Sequence, residues 1–281
     1  MTPETIQIQI STISDKLKTE EAICFIKDKF AKRLAHDLNL INVSAPIAVL
    51  DGTGINDDLN GIEKPISFSI KGINGQKALI VQSLAKWKRL RLKEFNIEAG
   101  KGLLTDMRAV RPDENLSPIH SIYVDQWDWE KHILPEQRVV KYLKTTVECI
   151  YEVLKATEKD VCNMYPELTP ELPDEIYFVH AEELLKQFPD LTVKQRETEV
   201  ARRFGAVFII GIGANLSNGE PHDGRAPDYD DWSTKNEEGY NGLNGDIVLW
   251  NPVLQSAFEI SSMGIRVSKE ALEKQLKIRG C

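Results

Sequence analysis

The sequence predicts an α+β fold, in which a mainly antiparallel sheet is flanked by helices. Two observations lead to this prediction. Segments that alternate apolar and polar residues follow one another through hairpin turns or long helices, whereas a parallel sheet would require strand and helix to alternate regularly. In addition, the chain of 281 residues shows no internal repeat and no interdomain linker. Residues 1–281 are therefore predicted to form a single domain.

The composition restricts the class of protein. The net charge is −8 and the pI is near 5.3, which argues against a nucleic-acid partner and against an anionic membrane, because both are bound by clustered Lys and Arg. The sequence has no apolar run of membrane-spanning length and no secretory leader pattern, so a cytoplasmic location is expected. Cys24, Cys149, Cys162 and Cys281 lack CxxC spacing and are expected to be free thiols.

The first predicted helix begins after Thr19, a residue type that favours the N-cap position. Apolar residues then recur at helical spacing as far as Leu38: Ile23, Ile26, Phe30, Leu34 and Leu38. A short strand over 40–46 follows and ends at Pro46. Proline has no N–H to donate to a sheet, so this strand is placed at an edge or an interface.

A loop rich in Asp, Asn and Gly covers 51–61, and it carries three carboxylates. It does not match a calcium-binding loop, because no Glu closes it at the required position. Beyond it, an alternating segment from Ile66 to Ile70 predicts a strand, and Asn74-Gly75 predicts a hairpin turn into a second strand over 78–82. The loop is followed, on this prediction, by a two-stranded hairpin.

Ser83 is predicted to cap a helix over 84–95. Near the start of this helix, Lys86, Lys88 and Arg89 are candidates to line a site. The alternative is that they are solvated surface charges, which is the commoner role of such residues.

The stretch Arg111 to Glu130 is the candidate site of the chain. Arg111 ends a predicted strand over 102–110, and Glu114 follows in a polar loop. In the next strand the side chains of Gln126 and Asp128 share one face, because successive residues of a strand point to opposite faces. An amide and a carboxylate beside an Arg are suited to holding a small zwitterion next to a phosphate. The alternative is a solvated hairpin whose charges only maintain solubility.

The second half predicts a long helix that begins near Val139, a strand over 175–180, and helices over 181–188 and from Thr192 to 204. A buried strand over 206–213 ends in GxG, as in a dinucleotide-binding motif. Leu216 stands where that motif has its third Gly, so the sequence argues against a dinucleotide-binding fold. His180 is interpreted as a packed histidine at a strand end. Strands over 246–250 and 257–267 and a helix capped by Ser268 complete the chain.

Taken in order, several motifs resemble those of the ammonia-dependent asparagine synthetases, the aspartate–ammonia ligases. They are NDDLNGIEKPI (56–66), SLAKWKR (83–89), RPDENLSPIHSIYVDQWDWE (111–130), RAPDYDDW (225–232), GLNGDI (242–247) and FEISSMGIRV (258–267). The resemblance covers essentially the whole chain. That family is similar to the catalytic domain of class II aminoacyl-tRNA synthetases, which implies the same fold.

The resemblance implies that L-aspartate and ammonia are condensed to L-asparagine while ATP is cleaved to AMP and pyrophosphate through a β-aspartyl adenylate. It assigns catalytic roles to Arg111, Lys88 and Asp57; substrate-binding roles to Ser83, Gln126, Asp128, Asp230 and Ser262; ATP-binding roles to Arg111, Glu114, His120 and Glu259; and Mg²⁺ to Asp246 and Glu259. It also implies a homodimer built on the helix Thr19–Asn39 and the strand that ends at Pro46. No Cys-His-acid arrangement for amide hydrolysis is present, so free ammonia and not glutamine is the expected nitrogen donor.

The family pattern continues beyond Cys281 through a Gly-rich strand and helix that supply a further nucleotide-binding Arg. Relative to that pattern, the sequence is a catalytic domain shortened at its C-terminus. Two alternatives to the ligase remain at this point. One is a non-catalytic or regulatory dimer that keeps the fold, and the other is an adenylating enzyme similar to an aminoacyl-tRNA synthetase.

Overall fold

The computed structural model describes residues 13–57, 59 and 63–280. In the first half, the helices and strands are α1 (Ile13–Asp37), β1 (Leu40–Asn42), β2 (Ala48–Leu50), β3 (Ser67–Ile70), β4 (Gln76–Ile80), α2 (Ala85–Glu94), β5 (Gly102–Val110) and β6 (Tyr123–Lys131). In the second half they are α3 (Val140–Met164), β7 (Tyr177–His180), α4 (Ala181–Gln187), α5 (Val193–Phe204), β8 (Ala206–Ile210), β9 (Asn244–Asn251), β10 (Ser256–Gly264) and α6 (Lys269–Arg279). The predicted fold class is confirmed.

The strands of the described residues form three sheets. Their orders are β1-β5-β6, β10-β9-β8-β7 and β2-β4-β3. Most pairings are antiparallel, and only β1 with β5 and β7 with β8 are parallel. The prediction of one sheet is refined here, since alternation within a segment shows that it is a strand but not which strand it pairs with. The strands β6 and β10 are edge strands of different sheets and border the same cavity.

The predicted alternation of β6 is confirmed by its pairing with β5. Asp128 lies opposite Thr105 and Gln126 opposite Met107. Met107 belongs to the apolar cluster under α2, so this face of β6 turns toward α2. On the other face, the ring of Trp127 packs against that of Phe30 in α1, with 4.4 Å between the centroids. One strand therefore separates a polar site from an apolar core.

The core lies where α3 and α1 pack against the sheets β1-β5-β6 and β10-β9-β8-β7. The helix α3 buries an apolar stripe that includes Leu143, Val147 and Ile150. A second cluster joins α4 and α5 to the opposite face of the sheet that contains β8, which is buried along its whole length. Removing these side chains from water supplies the main favourable term for folding, at about 25 cal/mol per Å² of apolar surface.

Two predicted helix caps are confirmed and two are wrong. The side chains of Thr192 and Ser268 accept hydrogen bonds from backbone N–H groups in the first turns of α5 and α6. Thr19 lies inside α1, and its hydroxyl donates to the carbonyl of Asp15. Ser83 does not cap α2, whose N-cap is Leu84. Instead, the N–H of Lys86 in the first turn of α2 donates to the carboxylate of Asp57, which belongs to a loop earlier in the chain. A contact between such distant residues cannot be predicted from the local sequence.

The GxG at the end of β8 serves close packing. Gly211 and Gly213 have φ values of 88° and 106°, a region that favours glycine. A Cβ on Gly213 would lie 2.7 Å from Cβ of Arg225 and 2.9 Å from the Trp232 ring. The next residues turn back without forming a helix, which agrees with the rejection of a dinucleotide-binding motif.

The predictions for the cysteines and for membrane-spanning segments can also be compared with the structure. Cys24, Cys149 and Cys162 are free thiols, whereas Cys281 and Asp58 lie outside the described residues. Within residues 13–57, 59 and 63–280, no helix has both the length and the apolarity needed to cross a membrane.

His180 is a packed histidine, as predicted, and it also caps α4. Its Nδ1 accepts the N–H of Glu182 at 3.0 Å, and its Nε2 donates to the carbonyl of Asn241 at 2.9 Å. This pattern requires the neutral ring. Burial lowers the pKa of His180 from 6.5, although the hydrogen bond to Asn241 opposes the shift.

We expect His180 to make stability depend on pH. Because its pKa is lower in the folded state, the unfolded chain binds more protons near the ordinary pKa of 6.5. The stability that His180 contributes is therefore present above that pH and is lost as the pH falls. In His180→Asn the cap is kept without a titrating group. Urea unfolding at about pH 8 and about pH 5.5 should show a larger stability loss in the parent than in the variant, and an equal loss would contradict this role.

Candidate active site

A cavity of about 1710 Å³ opens between α2, β6, β10 and the segment 223–229. Most of the predicted site residues line it: Asp57, Ser83, Arg111, Glu114, Gln126, Asp128, Asp246, Glu259 and Ser262. Lys88 and Asp230 are fully buried and lie in the wall behind. His120 is exposed, bonded to Ser117 at 2.8 Å, and does not line the cavity. The structure thus brings together residues that are 205 positions apart in the sequence, from Asp57 to Ser262.

Lys88 and Asp128 form an ion pair beneath the cavity floor. The helix α2 packs on β6, and the Nζ of Lys88, whose side chain is 0% exposed, contacts Oδ1 of Asp128. A buried ammonium is stable only when it is paired, so Asp128 holds this charge in place. The remaining oxygen of Asp128 is free of protein hydrogen bonds within the described residues.

Two N–H groups of its guanidinium anchor the Arg111 side chain to the backbone. Both its Nε and one terminal nitrogen donate to the carbonyl of Gln82, each at 3.3 Å. Burial lowers the pKa of Arg111, and the nearby carboxylates of Glu114 and Asp128 oppose that shift. An arginine is not deprotonated in proteins, so the guanidinium stays charged, and Arg111 lines the cavity.

Asp57 has a structural contact that the sequence did not indicate. Its Oδ2 accepts the N–H of Lys86 at 3.3 Å, in the first turn of α2. An anion at a helix N-terminus is favoured by the helix dipole. Burial nevertheless raises the pKa of Asp57, while the N–H and the ammonium of Lys86 act in the opposite direction. The Nζ of Lys86 lies 3.7 Å from Asp57 and 3.1 Å from Asp228.

Arg266 ties three parts of the site together. From the segment after β10 it binds Glu130 of β6 at 2.8 to 3.3 Å, and it also contacts the carboxylate of Asp230. Its guanidinium stacks on the Tyr229 ring, 3.8 Å from the centroid. Burial alone would raise the pKa of Glu130, but Arg266 outweighs it and lowers that pKa. Arg266 therefore holds Glu130 in its charged form and keeps all three side chains in contact with one guanidinium.

Two carboxylates lie on adjacent strands at the other side of the cavity. Asp246 is on β9 and accepts from Arg225 at 2.5 Å, while Glu259 is on β10. Burial, and next the charge of Asp246, raise the pKa of Glu259 to about 7. Burial also raises the pKa of Asp246, against the effect of Arg225. Within the described residues, no three His, Cys, Asp or Glu side chains converge as a ready-made metal cluster.

Sequence reasoning missed the residues that support the site. Glu130, Arg266 and Gln275 were given no role, although the first two lie within quoted motifs. Gln275 of α6 is fully buried and bonds only to the backbone of the loop 227–232. A Gln on an apolar helix face was the available signal, but its partners are more than 40 residues away.

Comparison with known families decides which chemistry this geometry serves. The family model described as aspartate–ammonia ligase matches residues 17–281. The chain belongs to the aspartate–ammonia ligase family. This confirms the enzyme predicted from the motifs, a ligase of asparagine biosynthesis, over a non-catalytic scaffold.

Curated members of the aspartate–ammonia ligase family are similar over most of their length. The protein of Parabacteroides distasonis is 54% identical over 261 residues, which are 93% of this chain and 76% of that protein. A protein of Clostridium perfringens is 53% identical over 264 residues, 94% of this chain and 76% of its own length. Both are named aspartate–ammonia ligase.

Solved structures show that this ligase has the class II synthetase fold. The asparaginyl-tRNA synthetase of Entamoeba histolytica with asparaginyl-adenylate matches with a TM-score of 0.59 at 13% identity, over 97% of this chain. The enzyme of Pyrococcus horikoshii, also with asparaginyl-adenylate, gives 0.59 at 14% identity over 94%. The chain spans 61% and 58% of those two proteins. The predicted class II fold is confirmed.

We expect Arg266→Met to destabilise the ligase strongly. The substitution removes the shortest ion pairs of the buried Glu130 and Asp230, which keep only longer contacts with Arg89 at 3.9 Å and Arg225 at 3.5 Å. Breaking such a buried pair typically costs about 3–5 kcal/mol. Urea unfolding with the exposed-pair variant Arg202→Ala as control measures the difference, since Arg202 pairs with Glu199 on the surface. The control should change stability by less than about 1 kcal/mol. Equal effects of the two variants would show that Arg266 does not hold the site together.

Proposed function

We propose that this chain joins the β-carboxylate of L-aspartate to the α-phosphate of ATP and then transfers the aspartyl group to ammonia. The products are L-asparagine, AMP and pyrophosphate. The observation that carries the proposal is the placement of Arg111 beside Gln126 and Asp128 in one cavity. An amino-acid site and a phosphate site are adjacent in this arrangement, as condensation of a carboxylate with ATP requires.

Aspartate is held by opposite charges at its two ends. Its ammonium group suits the carboxylates on the cavity wall, among them Asp128, and its polar atoms also suit Gln126, Ser83 and Ser262. Its β-carboxylate suits the charge of the Lys88 ammonium, which acts from behind the wall because it is fully buried against Asp128. Asp230 acts from behind the wall, since it is fully buried and bound by Arg266.

The nucleotide site is formed by Arg111 and Glu114. As the carboxylate oxygen attacks phosphorus, negative charge grows on the phosphoryl oxygens and pyrophosphate leaves. A planar guanidinium held in position before the reaction stabilises that charge without reorganisation. His120 remains an untested ATP-binding candidate, and its exposed position outside the cavity gives it no support.

Mg²⁺ fits the pair Asp246 and Glu259. Magnesium is commonly bound by one or two carboxylates together with substrate phosphates. Burial raises the pKa of both groups, and the charge of Asp246 adds to the increase at Glu259. When bound, the ion offsets phosphate charge. The carboxylates themselves are fixed by Arg225, which holds Asp246, and by the strand pairing of β9 with β10.

Ammonia attacks the carbonyl carbon of the aspartyl adenylate and forms the C–N bond. The bond between that carbon and the phosphate oxygen breaks, and AMP leaves with its electron pair. The nitrogen must then lose a proton. Asp57 is the proposed acceptor, because burial raises its pKa and makes it a stronger base than an ordinary carboxylate.

We place the reaction in the cytoplasm and propose no nucleic-acid partner, in keeping with the net charge of −8.

Pyrophosphate exchange tests the role of Arg111. With saturating aspartate and Mg²⁺-ATP, Arg111→Ala should lower turnover about a hundredfold to a thousandfold, because the interaction strengthens in the transition state. Arg111→Lys should restore little, since an ammonium cannot make the two-pronged contact. Aspartate affinity should change much less. Arg108→Ala, which removes an exposed Arg of the same strand, is the control. Near-normal turnover of Arg111→Ala would refute the assignment.

A homodimer through α1 and β1 is also proposed. The strand β1 is an edge strand, and it leaves Ile41 49% exposed, with Ile47 in the segment beyond it 64% exposed. A two-fold interface would pair this apolar surface with itself. Light scattering at micromolar concentration should give a dimer for the parent and for the control Val253→Lys, whose site is exposed elsewhere. Ile41→Lys should shift the mass toward the monomer. A monomeric parent would exclude the proposal.

A further inference from the structure

Asn56 and Gln82 form a reciprocal amide pair at the wall of the cavity, which Gln82 lines. The Nδ2 of Asn56 donates to Oε1 of Gln82 at 3.2 Å, and the backbone N–H of Gln82 donates to Oδ1 of Asn56 at 2.9 Å. Asn56 is 5% exposed and Gln82 is 0% exposed. Hydrogen bonds in such buried surroundings fix geometry well, because breaking one leaves a polar group without water.

The pair lies between Arg111 and Asp57, two residues of the candidate site. On one side, the carbonyl of Gln82 receives both hydrogen bonds of Arg111. On the other side, Asn56 precedes Asp57 in the chain. The backbone of Asp57 is itself joined to the β4–α2 junction, since its N–H donates to the carbonyl of Ser83 at 3.5 Å. A shift of Gln82 would therefore move Arg111 and Asp57 relative to each other.

Arg111 has few other restraints on its direction. Its charged neighbours Glu63, Glu114 and Asp128 attract it through space, but such attraction depends weakly on angle. The two N–H donors that share the carbonyl of Gln82 set the plane of the guanidinium. That plane decides whether the fork meets the phosphoryl oxygens with both prongs.

We propose that Asn56 and Gln82 are positioning residues, which hold the Arg111 guanidinium in register with Asp57. The inference rests on the proposed function, in which Arg111 acts on the nucleotide and Asp57 accepts the proton from the attacking nitrogen. The pair does not touch the reacting atoms. It acts by fixing the Gln82 carbonyl, and a misplacement of about 1 Å can lower a rate about a hundredfold.

Gln82→Met keeps the side-chain volume and the backbone carbonyl but removes the acceptor for Asn56. Pyrophosphate exchange should fall about tenfold to a hundredfold, with a smaller change in KM for ATP. Asn56→Leu should produce a similar loss. The double variant should lose no more than either single variant, because the two residues act as one unit. Tyr151→Phe is the control, since it removes a part-buried hydrogen bond to Pro173, and neither residue lines the cavity. Tyr151→Phe should leave turnover unchanged, although its loss of thermal stability should be similar to that of Gln82→Met.

A second cycle distinguishes positioning from general damage. If Gln82 acts through Arg111, Gln82→Met should cost little further turnover in the Arg111→Ala background. Losses that multiply in the two backgrounds, or unchanged turnover in Gln82→Met, would overturn the proposal.

A spectroscopic measurement is independent of catalysis. In ¹⁵N-labelled protein, the Nε–H signal of Arg111, identified by its absence from Arg111→Lys, should be protected from solvent exchange in the parent and exposed in Gln82→Met. If the parent fails to exchange pyrophosphate, the proposed function is wrong, and this signal still decides the role of the pair. Equal protection in the parent and in Gln82→Met would refute it.

Discussion

The ion network around Arg266 is the interaction on which the site depends. Its guanidinium joins the segment after β10 to Glu130 of β6 and to Asp230. The strands β6 and β10 belong to different sheets and share no backbone ladder. Side-chain contacts across the cavity must therefore hold these two strands in position, a role that backbone hydrogen bonds have within each sheet. Three buried charged groups are tolerable only because each meets an opposite charge, so the network also requires the three segments to adopt one arrangement.

The loop that contains Asp230 illustrates how the last helix serves the site. Asp231 is fully buried and accepts from the N–H groups of Ser233 and Thr234, while Arg138 binds its other oxygen at 2.6 Å. Gln275 binds the same loop from α6. An irregular segment has no ladder to satisfy its backbone, so these side chains supply the missing hydrogen bonds. The result is a rigid loop that needs no regular secondary structure.

Several residues combine a structural role with a chemical one. Asp57 receives an N–H at the start of α2 and also faces the cavity, and Lys88 of the same helix is buried against Asp128. The orientation of α2 is thereby coupled to the state of the site. Such coupling means that a loss of activity on substitution has two possible sources, which stability measurements on the same variant separate.

The sequence by itself determined the fold class, most strands, the face of β6 that carries Gln126 and Asp128, and, through its motifs, the family. These depend on periodicity and on short contiguous patterns, which neighbouring residues encode. Tertiary structure alone decided that the strands divide into three sheets, that Asp57 and not Ser83 meets the first turn of α2, and that Arg266 binds Glu130. The physical reason is distance along the chain: Arg266 and Glu130 are 136 positions apart. A hydrogen bond or ion pair between such residues depends on how whole elements pack, which no local pattern specifies.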